Sequence, residues 1–92
     1  MTIALDYDGC FTADPELWKL FVRLAKQRGH KVICATKRLP ENGIPGLNIP
    51  VVHAYAKSKF DTVAAAGYHV DIWIDDDPMR IFAEYGQKVT FG

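Results

Sequence analysis

The chain has 92 residues, a length typical of one small domain. Its hydrophobic fraction of 49% and charged fraction of 24% are ordinary for a soluble globular protein, which excludes a disordered or fibrous chain. Eleven Lys and Arg balance eleven Asp and Glu, and this zero net charge argues against a dedicated nucleic-acid binder and a polybasic membrane anchor. We therefore expect one domain over residues 1–92.

The N-terminal residues and the cysteine content predict a reduced, cytoplasmic setting. Met1 leads into a short apolar run and then an aspartate, which does not resemble a signal peptide. The apolar stretches are far shorter than the roughly 20 residues of a transmembrane helix, so no membrane association is expected. Cys10 and Cys34 are too few for a disulfide framework.

The first half of the chain is predicted to form a strand, a helix and a second strand. Residues 3–5 are a short apolar run typical of a buried strand, and residues 31–36 form a second one. Asp14 as N-cap and Pro15 at the first helical position predict a helix that ends at Gly29. One apolar stripe, the core-facing side of an amphipathic helix, is predicted from four residues at helical spacing: Leu17, Leu20, Phe21 and Leu24.

The second half continues the alternation of strands and helices. A long Pro- and Gly-rich loop over residues 37–50 precedes a strand at 50–54, and a helix capped by Ser58 ends near Gly67. A strand at 70–74 is followed by a short helix that begins at Asp77-Pro78, with Asp77 as N-cap, and ends near Tyr85; residues 88–91 are the last strand. This order predicts a doubly wound, mostly parallel, Rossmann-like α/β sheet of about five strands.

Carboxylates directly follow the first and fourth predicted strands. The carboxyl ends of parallel strands form the ligand site of a doubly wound sheet, so Asp6 and Asp8 should lie near Asp75 and Asp76. Four like charges at one place are unfavourable unless a cation neutralises them or some groups hold protons. Hard oxygen ligands suit Mg²⁺, and we expect a Mg²⁺ site built from these four aspartates.

Cationic and hydroxyl groups at the same edge predict a phosphate site. Thr36 ends the second strand, and an ammonium from Lys57 or Lys59 could hold phosphate oxygens. Lys59 lies in the first turn of its helix, where the helix dipole favours an anion, and is preferred to Lys57. Gly9 would let the backbone approach a phosphoryl group closely.

This set of residues resembles the four motifs of the haloacid dehalogenase (HAD) superfamily of phosphotransferases, over nearly the whole chain. The first motif is an apolar strand followed by Asp-x-Asp-Gly, and the second is a Thr or Ser that ends the next strand. The third is a Lys at a helix start, and the fourth is an acidic pair after an apolar strand. In this chain the matching positions are residues 3–9, Thr36, Lys59 or Lys57, and residues 72–76.

The resemblance implies a role for each matched position. Asp6 would be the nucleophile that forms an aspartyl-phosphate, and Asp8 would be the general acid and base of a hydrolase. Mg²⁺ would be held by Asp6, by the Asp8 backbone carbonyl and by Asp75, while Asp76 would bind it through water or orient the lysine. Thr36 and the lysine would stabilise the phosphoryl oxygens.

Several features of the match affect substrate binding. Cys10 stands where the family more often has Thr, although its backbone N–H could still reach phosphate. Arg38 forms a Thr-x-Arg arrangement similar to that of polynucleotide kinase phosphatase domains, where it could contact phosphate; an exposed loop arginine is the alternative. No cap domain is inserted, and the chain resembles short capless members. An uncapped site would be open to bulky protein or nucleic-acid phosphates, or be covered by a partner subunit in a homo-oligomer.

Two other functional classes are compatible with these residues. One is a receiver-like or otherwise non-hydrolytic phospho-acceptor module. Its acidic pair would follow the first strand and its phosphorylated Asp the third, whereas the third strand here ends in His53 without a carboxylate. The other is a degenerate HAD-like scaffold that binds a partner without catalysis.

Overall fold

The computed structural model describes residues 1–44 and 46–84. The elements alternate between strands and helices, with short 3₁₀ turns at Phe11–Ala13 and Pro40–Asn42. In chain order they are β1 (Thr2–Leu5), α1 (Pro15–Gln27), β2 (Lys31–Thr36), β3 (Val51–His53), α2 (Lys59–Ala65), β4 (Ile72–Ile74) and α3 (Met79–Phe82). The predicted last strand at 88–91 lies outside the described residues.

The four strands form one parallel sheet in the order β3-β2-β1-β4. From β1 the chain proceeds through β2 to β3 on one side, and then crosses back to place β4 on the other side of β1. Leu5 is in register with both Cys34 and Ile74. The order of strands therefore reverses beside β1, and a crevice is expected at the carboxyl ends of β1 and β4.

Helices cover both faces of the sheet because alternate strand residues point to opposite sides. On one face Leu5, Val32 and Cys34 pack in a cluster with Ala25 of α1. On the other face Ala4, Ile33 and Ala35 pack in a cluster with Val63 of α2. The prediction of a parallel α/β sheet with helices on both sides is confirmed, with four strands in the described part of the chain.

Polar side chains cap the two longer helices as predicted. Asp14 Oδ1 accepts a hydrogen bond from Leu17 N (3.3 Å) at the start of α1, and Ser58 Oγ accepts one from Asp61 N (3.0 Å) at the start of α2. The prediction for the third helix was wrong, since the Asp77 carboxylate accepts from Arg80 Nε (3.1 Å) and caps no backbone N–H of α3. That helix ends at Phe82 because Ala83 is extended; Tyr85 lies outside the described residues.

The core-facing side of α1 differs from the predicted apolar stripe. Leu17, Leu20 and Leu24 are 51%, 43% and 48% exposed, and of the four predicted residues only Phe21 packs on the core. The helix turns another apolar side inward, made of Trp18, Phe21, Val22 and Ala25. The reason lies in the long loop, which adds Ile44, Leu47 and Ile49 to the same cluster and so gives Trp18 and Val22 apolar neighbours.

Across the described residues, no helix has the length and apolar character that crossing a bilayer requires.

Candidate functional site

A cleft of about 360 Å³ lies at the carboxyl ends of the strands, where the strand order reverses. Most of its lining residues directly follow β1, β2 or β4, and the others come from the starts of α2 and α3. They are Asp6, Asp8, Gly9, Lys37, Lys59, Asp76, Asp77 and Arg80. The edge of the sheet predicted to carry the ligand site therefore does carry a polar cleft.

Lys59 is a buried cation between two carboxylates. Its ammonium donates to Asp6 Oδ1 and to Asp75 Oδ2, each at 2.7 Å, and the residue is 1% exposed. The capped first turn of α2 holds the side chain at the base of the cleft. Burial by itself lowers the pKa of Lys59, but the two carboxylates outweigh burial and the net pKa lies above its ordinary value. Lys59 is therefore charged at neutral pH.

The structure brings only one of the two candidate lysines to the carboxylates. Lys57 is exposed, and its backbone carbonyl accepts a hydrogen bond from Lys37 Nζ (2.6 Å). Lys59 is the lysine that contacts Asp6, as the helix-start position had favoured.

Asp6 is the most strongly perturbed carboxylate of the cleft. Its pKa is raised to about 6, because burial and the nearby Asp75 and Asp76, which raise the pKa, together outweigh Lys59, which lowers it. Oxygens of Asp6 and Asp76 and the Cys10 Sγ lie within 4.8 Å of one another. With one buried lysine beside three carboxylates, the cluster carries excess negative charge when Asp6 is ionised.

The donor atoms around Asp6 fit a hard divalent cation better than a soft one. Carboxylate oxygens of Asp6 and Asp76 are suitable Mg²⁺ ligands. Burial raises the pKa of the Cys10 thiol, and a protonated thiol is a poor metal ligand. The residues present therefore fit a cation held between two carboxylates, with the thiol at its edge.

The acidic pair after β4 is arranged differently from the expectation. Both oxygens of Asp75 are engaged, one by Lys59 and the other by Asp77 N–H (2.9 Å). Asp76 instead lies beside Asp6. The geometry thus gives Asp75 the position that orients the lysine and Asp76 the position next to Asp6. The resemblance had implied Asp75 as a metal ligand and Asp76 as a residue that binds the metal through water or orients the lysine.

Asp8 and Arg38 form an ion pair at the rim of the cleft. The guanidinium donates to both Asp8 oxygens at 2.8 Å and lies 5.0 Å from the centre of the Tyr7 ring. The hydrogen bonds from Arg38 hold the pKa of Asp8 below its usual range. In this arrangement Asp8 is an anion that can accept a proton, and Arg38 is bound to protein rather than free for a ligand.

The other predicted residues lie close to the same rim. Thr36 is buried at the end of β2, and its hydroxyl accepts from Arg38 N (3.1 Å). Gly9 has a φ of 90°, and a Cβ at this position would overlap the Asp76 carboxylate. Cys10 is buried, with its Sγ 3.9 Å from Ile74 O. Thr36 therefore supports the backbone at Arg38, and Gly9 allows the loop after β1 to approach Asp76 closely.

Three cleft residues were not among the predicted site residues: Lys37, Arg80 and Asp77, the last of which was predicted as a helix cap at this edge of the sheet. Lys37 Nζ donates to the carbonyls of Lys57 (2.6 Å) and Ala83 (2.7 Å), and burial together with Lys59 and Arg80 lowers its pKa. The position of Lys37 directly after β2 is the sequence signal that could have predicted it as a cleft residue. Arg80 follows no strand, and it reaches the cleft only because α3 begins immediately beyond Asp77.

Comparison of the chain with models of protein families, with curated proteins and with solved structures found no match. The site is therefore interpreted from its own chemistry.

Proposed function

We propose that the protein is a Mg²⁺-dependent, HAD-like phosphohydrolase that cleaves phosphomonoesters through an aspartyl-phosphate on Asp6. The observation that carries this proposal is the contact between Asp6 and the buried Lys59, at the base of a cleft that Lys37 and Arg80 also line. A carboxylate nucleophile beside a buried lysine, in a cleft that two further cations line, suits an anionic group once a divalent cation offsets the excess negative charge of the aspartates.

Asp6 would attack in its ionised form. With a pKa of about 6, most Asp6 is ionised at neutral pH, and a cation on Asp6 and Asp76 would increase that fraction. Lys59 holds Oδ1 in place, so the carboxylate is oriented before substrate arrives. An Asp6 oxygen would form a bond to phosphorus as the bond from phosphorus to the ester oxygen breaks, and the leaving alcohol would take a proton from Asp8.

Asp8 would complete the cycle by taking a proton from water. Water attacks the phosphorus of the aspartyl-phosphate, its proton passes to Asp8, and phosphate leaves with Asp6 restored as a carboxylate. Donation in the first step requires that Arg38 first release Asp8 and that Asp8 take up a proton from solvent, since the paired carboxylate is held as an anion; in later cycles the attacking water supplies this proton. Phosphate oxygens are suitable new partners for the guanidinium because both can form two parallel hydrogen bonds.

Asp6 and Asp76 are the residues that would hold Mg²⁺, and the ion when bound would neutralise charge on the transferred phosphoryl group.

The segments at 6–14 and 37–50 consist of short turns in their described residues. With such short turns beside the cleft, a phosphate group carried on a bulky substrate would be able to enter it.

The first test is hydrolysis of an aryl phosphate with MgCl₂. We expect turnover by the wild-type chain and a loss of at least about a thousandfold in Asp6→Asn, because a neutral amide is a poor nucleophile. Asp61→Asn is the matched control, since Asp61 is an exposed aspartate on α2. Turnover that persists in Asp6→Asn would contradict the nucleophile assignment.

A second candidate function is a phospho-acceptor module, and the Asp8–Arg38 pair favours it. An aspartyl-phosphate on Asp6 would hydrolyse slowly if Asp8 remained bound to Arg38. Incubation with acetyl phosphate, followed by intact-mass measurement, separates the two functions. A long-lived phosphorylated chain that does not turn over supports the acceptor, whereas continuous phosphate release supports the hydrolase. Calorimetry that detects no Mg²⁺ binding would instead favour a scaffold without catalysis.

A further inference from the structure

Helix α1 carries three leucines that do not reach the core. Leu17, Leu20 and Leu24 are each about half exposed. Their spacing of three and four residues places them on one face of the helix. The helix of 13 residues is about 20 Å long, and the leucines form an apolar strip along about 10 Å of it. We call these three residues the leucine face.

We propose that the leucine face pairs with the leucine face of a second copy of this chain, with the two helices antiparallel about a two-fold axis near Leu20. A two-fold interface uses the same patch on both copies, so each patch must complement itself. The α1 helix meets this requirement in both its apolar and its charged residues.

The apolar residues match when the axis passes near Leu20. In an antiparallel pair, residues at similar distances from Leu20 in opposite directions then lie near one another. Leu20 meets Leu20 of the second copy, and Leu17, three residues before it, lies beside Leu24 of the second copy, four residues after it, with an offset of about 1.5 Å along the helix. All three half-exposed leucines of each chain are covered in this register.

The charged residues select the antiparallel orientation. Glu16 and Arg23 lie on the same flank of the leucine face, near its opposite ends, as their spacing of seven residues along the helix requires. In an antiparallel two-fold pair, the same flank of both helices lies on the same side of the contact. Glu16 therefore comes opposite Arg23 of the second copy, and the symmetry repeats this ion pair. A parallel pair would instead place this flank against the flank that carries Phe21.

Glu16 is available for such a contact. Its side chain is 90% exposed, and its contact within the chain is with Lys19 at 4.0 Å, an i,i+3 pair of the weak, solvent-exposed kind. The described residues that line the cleft lie outside α1, so pairing leaves the cleft open. The inference is thus independent of the proposed catalytic activity.

Sedimentation equilibrium over a concentration series tests the proposal. A single helix pair is a small interface, so we expect the mass to rise with concentration from 10.3 kDa toward twice that value rather than a permanent dimer. Leu20→Glu should remain monomeric at every concentration, with circular dichroism showing that it is folded. A monomeric wild-type chain, or dimerisation unaffected by Leu20→Glu, would overturn the proposal.

A charge exchange tests the orientation. Glu16→Lys and Arg23→Glu should each weaken dimerisation by about tenfold, because each change replaces two attractive contacts by two repulsive ones. The double variant should restore wild-type dimerisation. Lys26→Glu is the matched control, since the Lys26 ammonium donates to the carbonyl of Asn48 (2.8 Å) and so is directed toward the loop rather than toward the second copy. Failure of the double variant to recover, or an equal loss in Lys26→Glu, would overturn the antiparallel arrangement.

Discussion

Lys59 connects the charge of the cleft to the stability of the protein. Its ammonium is the buried cation between Asp6 and Asp75, and the side chains of both aspartates are less than one tenth exposed. Two carboxylates can be kept ionised at this depth only if a positive charge compensates them. The same residue that would bind a phosphoryl group thus also stabilises the folded chain.

Replacing Lys59 by methionine should therefore destabilise the protein strongly. Lys59→Met preserves much of the side-chain volume but leaves Asp6 and Asp75 without their cation, and we expect a loss of about 3–5 kcal/mol in the free energy of unfolding. Urea denaturation measures this change. The exposed Lys57→Met is the control and should alter stability by less than about 0.5 kcal/mol. Equal stabilities of the two variants would show that the buried ion pairs are dispensable.

The raised pKa of Asp6 predicts a particular dependence of stability on pH in metal-free buffer. The pKa is 3.8 in the unfolded chain and about 6 in the folded one, so the folded state binds the proton more tightly. The resulting stabilisation, about 3 kcal/mol, is fully present below pH 4 and is lost as the pH rises through 6. Asp8 contributes with the opposite sign, because its folded pKa is lowered and its stabilisation is lost as the pH falls.

Comparison with Asp6→Asn isolates the contribution of Asp6. Denaturation in EDTA between pH 4 and 7 should show the wild-type chain losing stability relative to Asp6→Asn as the pH rises. Curves that run parallel over this range would mean that burial does not perturb Asp6.

At the scale of the elements, the sequence predicted the positions of side chains better than their partners. Apolar runs and the capping residues Asp14 and Ser58 were sufficient to locate the strands and the two longer helices. The rule that ligands bind at strand ends then placed Asp6 at the cleft. These signals are local, since each depends on residues only a few positions apart.

The partners depend on contacts that no local pattern contains. Asp75 rather than Asp76 bonds to Lys59, because the backbone after β4 turns so that Asp77 N–H holds the other Asp75 oxygen. Arg38 reaches Asp8 from a loop that starts 30 residues later in the chain. Helix α1 has two apolar faces, the one with the leucines and the one with Trp18 and Val22. The second face packs on the core because the long loop places apolar residues beside it.

The caps of the two longer helices offer a test at this scale. Ser58→Ala and Asp14→Ala should each cost about 1 kcal/mol of stability, since each removes one side-chain acceptor from a helix N-terminus. If the proposed phosphatase activity is present, Ser58→Ala should also reduce it, because α2 begins with Lys59, whereas Asp14→Ala should not. Thermal melts and the aryl phosphate assay measure the two effects. If both variants lose activity equally, the position of Lys59 does not depend on its cap.

For the whole molecule, the chemical reactivity of the two buried thiols, Cys10 and Cys34, measures how often the core opens. Cys34 is completely buried, and burial raises its pKa to about 12, so its thiolate fraction is roughly a thousandfold below that of a free thiol. Cys10 is also buried, and its pKa is raised as well. Iodoacetamide at neutral pH should therefore modify neither residue in the native protein and both in urea, as mass spectrometry would show. Rapid native modification of Cys34 would mean that the sheet opens far more often than this packing implies.

The central position of β1 also has a consequence for how the chain is made. Strand β1, which is synthesised before the other three strands of this sheet, needs a neighbour on each side, and one of them, β4, begins at Ile72. A contact between Thr2 and Asp71 closes the same long loop. Pairing between such distant segments is slow because the chain entropy must be lost before the contacts form. Until residues 74–76 have emerged, Asp6 has neither its sheet neighbour nor its acidic companions, so the cleft is complete only after β4 has paired with β1.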